Sequence, residues 1–222
     1  MEKVDVKDAN GIVQRLLVNL SSCVVDKGTA GITAQSTIGW LRANAPQLLY
    51  YDQIAYSLDL CFEQVRQAGA ILRKMEEVRV LLTVEKPKTL GGTMIRDRSI
   101  QLCMAQEGKI IASMQFSSRQ DVELLISSIQ QPFEDAEETA ANTMDGADYQ
   151  ALISLRAAIV NYLVSSSRTL PAMTVYRFAR PLPTLIISYR LYADASRYDE
   201  IRRENKVVHP AFCRMVGRAL SQ

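Results

Sequence analysis

From Pro46 to about Met75 the apolar residues return in alternating steps of three and four: Leu48, Tyr51, Ala55, Leu58, Phe62, Val65, Gly69 and Leu72. That is the spacing of one helix face, held for about 3.5 heptads. A second seam, Ile54, Leu58, Cys61, Val65, Ala68 and Leu72, overlaps the first and widens it. A wide apolar face fits the interior of a helical bundle, whereas a heptad face also fits a coil that joins subunits. Pro46 suits the first turn of a helix, where its missing N–H costs nothing. About 25 residues at roughly 1.5 Å each reach roughly 37 Å, more than a small domain needs. The polar side carries few charges: Asp52, Asp59, Glu63 and Arg66. Leu48, Tyr51, Ala55, Leu58, Phe62, Val65 and Leu72 are therefore the candidate subunit interface, with Leu58 and Phe62 at its centre.

Helical spacing recurs on both sides of this run. Ile12, Val13, Leu16, Leu17, Leu20 and Val24 predict a helix over about 8–25, with Asp8 as candidate N-cap. A break follows at Asp26 to Gly31, then a short helix through Trp40 and Leu41. Val78, Val80, Leu82 and Val84 alternate as in a strand or in the frayed end of a helix. Thr93 to Phe116 reads two ways: a hairpin of alternating apolar residues, or a helix with Ile100, Cys103, Met104, Glu107, Ile111 and Met114 on one face. Periodicity alone does not decide between them. Ser118-Arg119-Gln120-Asp121 resembles a capping box, and Val122, Leu125, Ile126, Ile129 and Phe133 continue on one face. Asp148 is the candidate cap of a further helix with Leu152, Leu155, Ile159 and Tyr162 or Leu163 inward.

The last fifty or so residues have another texture. Met173 to Phe178 reads as a strand. Pro181-Leu182-Pro183-Thr184 opens a helix through Tyr192. Ser196 caps a second helix that ends near Asn205, and Val207 to Leu220 returns extended. The predicted architecture is a mostly α-helical bundle domain over 1–170 and a small α+β module over 171–222, in the order βααβ.

The 222 residues are 48% hydrophobic and 23% charged, which excludes global disorder and low-complexity classes. No apolar run approaches the roughly 18–20 residues of a membrane span, and Met1 to Asn10 lacks the apolar core of a signal peptide. Cys23, Cys61, Cys103 and Cys213 form no close pair, and His209 is the single histidine. The chain thus lacks the paired spacing of a zinc site, and buried free thiols are expected. There is no GxSxG, Walker A or GxGxxG pattern. No catalytic residue, metal or cofactor is expected.

The net charge of +2 conceals a split. Gln120 to Gln150 carries eight acidic residues and no lysine or arginine. Met173 to Gln222 carries nine basic residues against four acidic. Four of the nine share a stretch with acids; Arg177, Arg180, Arg214 and Arg218 do not, and are the candidate nucleic-acid contacts. The plainer reading is that the acidic and basic parts face each other or are solvated.

The C-terminal order, with Val175, Pro183-Thr184-Leu185, Ile201, Asn205, Gly217 and Leu220, resembles a LysM module. Arg180-Pro181-Leu182 stands where that family has a glycine-aspartate turn. A longer resemblance runs over about residues 95–220. Phe116-Ser117-Ser118-Arg119-Gln120-Asp121, Tyr149-Gln150-Ala151-Leu152, Leu155-Arg156-Ala157-Ala158 and Leu170-Pro171 are followed by Pro181-Leu182-Pro183. Then come Arg190-Leu191-Tyr192-Ala193-Asp194-Ala195-Ser196-Arg197, Asp199-Glu200-Ile201, Asn205 and His209-Pro210-Ala211-Phe212. This string is similar to the C-terminal part of the DNA circularisation protein family of Mu-like contractile-tailed bacteriophages. The family's N-terminal domain is not recognisable here, which implies a shortened version or a C-terminal piece.

The resemblance implies a helix over Thr93–Phe116 and a tail or baseplate component acting through protein contacts. Its partners would be other hub, tube and wedge proteins, within a symmetric oligomer. Its place would be the virion baseplate, after assembly in the host cytoplasm. Two other functions compete: nucleic-acid binding, as the family name records, and peptidoglycan binding by the LysM-like module.

Overall fold

A computed structural model describes residues 3–143 and 146–221. Asp145, counted above in the acidic run, lies outside the described residues. The described chain is mostly helical. It runs α1 (Lys3–Cys23), α2 (Thr29–Tyr50), α3 (Ile54–Gln67), α4 (Leu72–Val84), α5 (Leu90–Ser113), α6 (Arg119–Asn142), α7 (Gly146–Ser167), β1 (Met173–Arg177), α8 (Thr184–Tyr192), α9 (Tyr198–Glu204) and β2 (Val216–Leu220). A short 3-10 turn at Ala195–Arg197 precedes α9. Two compact units result: residues 1–114 with 132–159, and residues 115–131 with 160–222. No helix among the described residues is long and apolar enough to cross a membrane.

In the first unit α1 packs on α2 and α5, α2 on α3, and α4 on α5. The face of α1 foreseen from its spacing supplies Ile12, Leu16, Leu17 and Leu20, all buried. Leu41 and Leu49 of α2, Leu58, Phe62 and Val65 of α3, and Met75 of α4 complete the centre of this core. The chain breaks after α1 because Asp26 turns back: its carboxylate accepts the N–H groups of Gly28 and Gly31. A Cβ on Gly31 would collide with the Asp26 carbonyl.

The continuous heptad face over 46–75 is corrected. It is cut twice, into the end of α2, all of α3 and the start of α4. Asp52 takes a left-handed φ of 57° in the first turn and Gly69 a φ of 85° in the second. Gly69 was the seam residue best able to adopt that conformation. Leu48, Leu58, Phe62, Val65 and Leu72 of the seam still meet in one core because each helix turns its own apolar face to it.

Pro46 opens no helix; it sits inside α2. Its missing N–H leaves the Arg42 carbonyl without an intrahelical donor, and Gln14 Nε2 of α1 donates to that carbonyl at 2.9 Å. Asp8 does not cap α1 either. It lies within α1 and accepts from the Lys88 N–H at 2.7 Å, the Thr89 N–H at 3.0 Å and Thr89 Oγ1 at 3.1 Å. Thr89 Oγ1 in turn accepts the Gly92 N–H and caps α5. The segment Val78–Val84 is helical, and Thr93–Phe116 holds most of α5 rather than a hairpin. Gly108 of α5 lies under Ile159, whose Cδ1 would sit 3.0 Å from an added Cβ.

In the second unit Ser118 does cap α6: its Oγ accepts the Asp121 N–H at 3.2 Å. The reciprocal half of the capping box is missing, since the Asp121 carboxylate takes a bond from Ser117 instead. β1 and β2 pair antiparallel, Met173 opposite Leu220 through Arg177 opposite Val216. The chain between them folds as α8, the 3-10 turn and α9, over Tyr176, Leu182, Ile187, Ile201 and Cys213. Asp194, not Ser196, caps the turn, accepting the Ser196 N–H at 2.8 Å. Only Val216–Leu220 of the predicted extended return is strand. All four cysteines are buried free thiols.

Candidate functional site

The seven residues proposed for an interface separate into three groups. Leu58, Phe62 and Val65 are fully buried in the core of the first unit. Leu48 and Leu72 are half-buried and pack against that core. Tyr51 and Ala55 are exposed, Tyr51 by 60%, with its ring edge-on to Tyr50 at 5.2 Å between centroids. The burial of Leu58 and Phe62 thus needs no second subunit, and the free part of this face is the α2–α3 turn.

Arg177, Arg180, Arg214 and Arg218 are all exposed, and none of them makes an ion pair among the described residues. The strand register puts Arg177 opposite Val216 and Arg218 opposite Val175, so both arginines share the sheet face away from Tyr176 and Ala219. Arg180 and Arg214 lie in loops. The acidic run finds a partner of its own: Arg156 of α7 lies 3.1 Å from Glu137 and 3.8 Å from Glu134 of α6. Glu137 is buried there, not turned to solvent.

The string Arg190–Asn205 is where the fold concentrates polar contacts. The Arg197 guanidinium carbon stands 3.7 Å from the centroid of the Tyr192 ring. The same guanidinium donates to both oxygens of Glu200 at 2.9–3.0 Å. Glu200 also accepts the Tyr192 hydroxyl at 2.8 Å. Burial, then this bond, pushes the Tyr192 phenol up to about 12. Asp194 accepts both the N–H and the Oγ of Ser196. Ser188 Oγ donates to the Asp194 carbonyl and holds the end of α8 against the turn. Asn205 clamps the Arg218 backbone: its Oδ1 accepts the N–H at 2.7 Å and its Nδ2 donates to the carbonyl at 2.8 Å. These side chains are spent on each other and on the backbone.

Sequence reasoning missed a cleft in the first unit. It has a volume of about 670 Å³ and lies among the start of α3, the first half of α5, the end of α6 and the start of α7. Ile54, Leu58 and Ile95 line it, with Asp5, Asp52, Asp97 and Asp148 among its polar residues. Asp97 pairs with Arg96, and Asp148 accepts from Gln101 Nε2 at 2.7 Å. No group of three or more His, Cys, Asp or Glu among the described residues is placed to hold a metal ion. The residues of this cleft come from five helices, α1, α3, α5, α6 and α7, and the α2–α3 turn, so no local pattern signals it.

Compared with known proteins, the chain matches no family model and no curated protein.

Proposed function

We propose that this chain is a structural component of a contractile phage tail, acting in baseplate and hub assembly through protein–protein contacts, and not an enzyme. The observation that carries the reading is the use of the Arg190–Asn205 string. The residues of the resemblance hold a small folded module together, through Tyr192, Arg197, Glu200, Asp194, Ser196 and Asn205. A string used for framework suits a protein that works as a part. The order β1, α8, α9, β2 supports a LysM-like module in that role. Its partners would be the hub, tube and wedge proteins of the virion, in a symmetric oligomer. Locating the chain in a cryo-EM map of intact particles tests this. Density for it at the baseplate is the expected result, and its absence from purified particles overturns the reading.

One observation favours a second reading. Arg177 and Arg218 share an exposed face with no ion pair, which suits phosphate contacts. Four such contacts would give a log–log salt slope of about −3.6 on duplex DNA. Binding that survives high salt with sequence preference would favour this reading over the first. For peptidoglycan, Arg180-Pro181-Leu182 in place of the glycine-aspartate turn offers no comparable support.

A further inference from the structure

The two strands of the C-terminal unit differ in how their outer edges are covered. The Phe178 N–H donates to the Met215 carbonyl at 2.8 Å, and the Ser221 N–H to the Ala172 carbonyl at 2.7 Å. The even-numbered residues of β1 therefore bond to β2, and the backbone groups of Met173, Val175 and Arg177 point outward. On β2 the outward groups are covered. Asn205 takes both backbone groups of Arg218, and the Leu220 N–H bonds to Tyr192. On β1 the Met173 N–H donates to Gln120 Oε1 at 2.6 Å. The outward N–H and carbonyl groups of Val175 and Arg177 have no partner among the described residues. The edge is also bare of side chains: Val175 is 70% exposed, and Thr174 and Arg177 are exposed beside it.

We propose that the open edge of β1 docks an extended acidic segment of a partner protein, which adds to the sheet as a third strand. The backbone of Val175 and Arg177 supplies the ladder, as in other strand additions. Charge selects the occupant. Arg177 lies on the open strand, Arg218 lies diagonally behind it on the same face, and Arg180 follows three residues on. An acidic side chain on the added strand, directly opposite Arg177, makes a favourable cross-strand pair. A basic segment, or a second copy of this arginine-bearing edge, would meet like charge. The proposal rests on the edge geometry and stands or falls independently of the tail reading.

The test uses the full chain and a short capped peptide of alternating glutamate and valine, followed by amide NMR and hydrogen exchange. Binding should slow exchange at Val175 and Arg177 and leave Arg218, already bonded to Asn205, little changed. Val175→Pro removes an outward N–H without touching the β1–β2 ladder, and should weaken binding by about tenfold or more. Arg177→Glu should do the same through charge. Because Val175→Pro could disturb the strand, a peptide N-methylated on its ladder-facing amides is a second probe against the unaltered protein, and it should not bind. Four results would overturn the proposal: no binding of the acidic peptide; equal binding of the N-methylated peptide; competition by duplex DNA with no protection of Val175; or concentration-dependent protection of Val175 in the protein alone, which would mean a second copy occupies the edge.

Discussion

Arg79 of α4 and Glu107 of α5 meet inside the first unit, Nε to Oε1 at 2.9 Å, with both residues less than a tenth exposed. Burial raises the Glu107 carboxyl above its usual range, with Arg79 opposing the rise. Such a pair contributes little net stability, but a lone member left in the core is costly. Glu107→Leu alone should lose about 3–5 kcal/mol, and Arg79→Met in the same chain should recover most of it. Urea unfolding of the four proteins of this double-mutant cycle measures the coupling. Simple additivity of the two losses would show that the charges do not depend on each other.

Glu63 of α3 shows the opposite shift. Arg66 first, then Lys109 and Gln67, donate to its carboxylate and hold it down at about 2, below its ordinary 4.5. A depressed carboxyl stabilises the fold above its unfolded pKa and stops doing so as pH falls through its folded pKa. The stability gap between the unaltered protein and Glu63→Gln should therefore be full above about pH 4.5 and close by about pH 2. Its side chain is 28% exposed, so solvent screening limits the gap to about 1 kcal/mol. Denaturant melts across this pH range read it directly. A gap that does not change with pH would mean the contacts to Glu63 carry no charge term.

Local signals were legible in the sequence and distant ones were not. The cap of α6 at Ser118 was readable because it depends on neighbours within a few residues, and the prolines before Thr184 mark the start of α8, although the Thr184 N–H bonds to the distant Pro210 carbonyl. The place of Pro46 depends on Gln14, and the role of Asp8 depends on Thr89, so neither could be read locally. Gly69 fits the heptad spacing, yet its φ of 85° is the feature that ends α3. For the candidate interface, spacing identified an apolar face but not which residues of it face inward. The open edge of β1 is visible only once Asn205 is seen to close the other edge.

Gly217 lies opposite Tyr176 in the sheet, where a Cβ would run into both the Tyr176 hydroxyl and Asn205 Oδ1. Both groups are already committed. Tyr176 Oη is 3.0 Å from Cys213 Sγ, and Asn205 holds the Arg218 backbone. Gly217→Ala should therefore destabilise by about 1–3 kcal/mol, the usual cost of overpacking. Tyr176→Leu in the same chain removes both the hydroxyl and the ring carbon Cζ that the added Cβ would meet, so the pair should cost less than the sum of the single changes. Thermal unfolding followed at the tyrosine signals measures this, and a neutral Gly217→Ala would show that the second unit yields there.

Phe62 and Tyr51 were grouped by spacing and are separated by structure. Phe62 is fully buried in the core of the first unit, whereas Tyr51 is 60% exposed on the α2–α3 turn. Phe62→Ala should cost about 3–5 kcal/mol by leaving a cavity among packed neighbours. Tyr51→Ala should stay within about 0.5 kcal/mol, since it removes only surface. If this face meets another subunit, the contact must fall on Tyr51, Ala55 and their exposed neighbours. Tyr51→Asp should then yield a folded chain that fails to enter particles, while Phe62→Ala fails through loss of the fold. Denaturant melts together with particle incorporation separate the two effects. Normal incorporation of a folded Tyr51→Asp chain would remove the α2–α3 turn from the interface and leave the old heptad face as core alone.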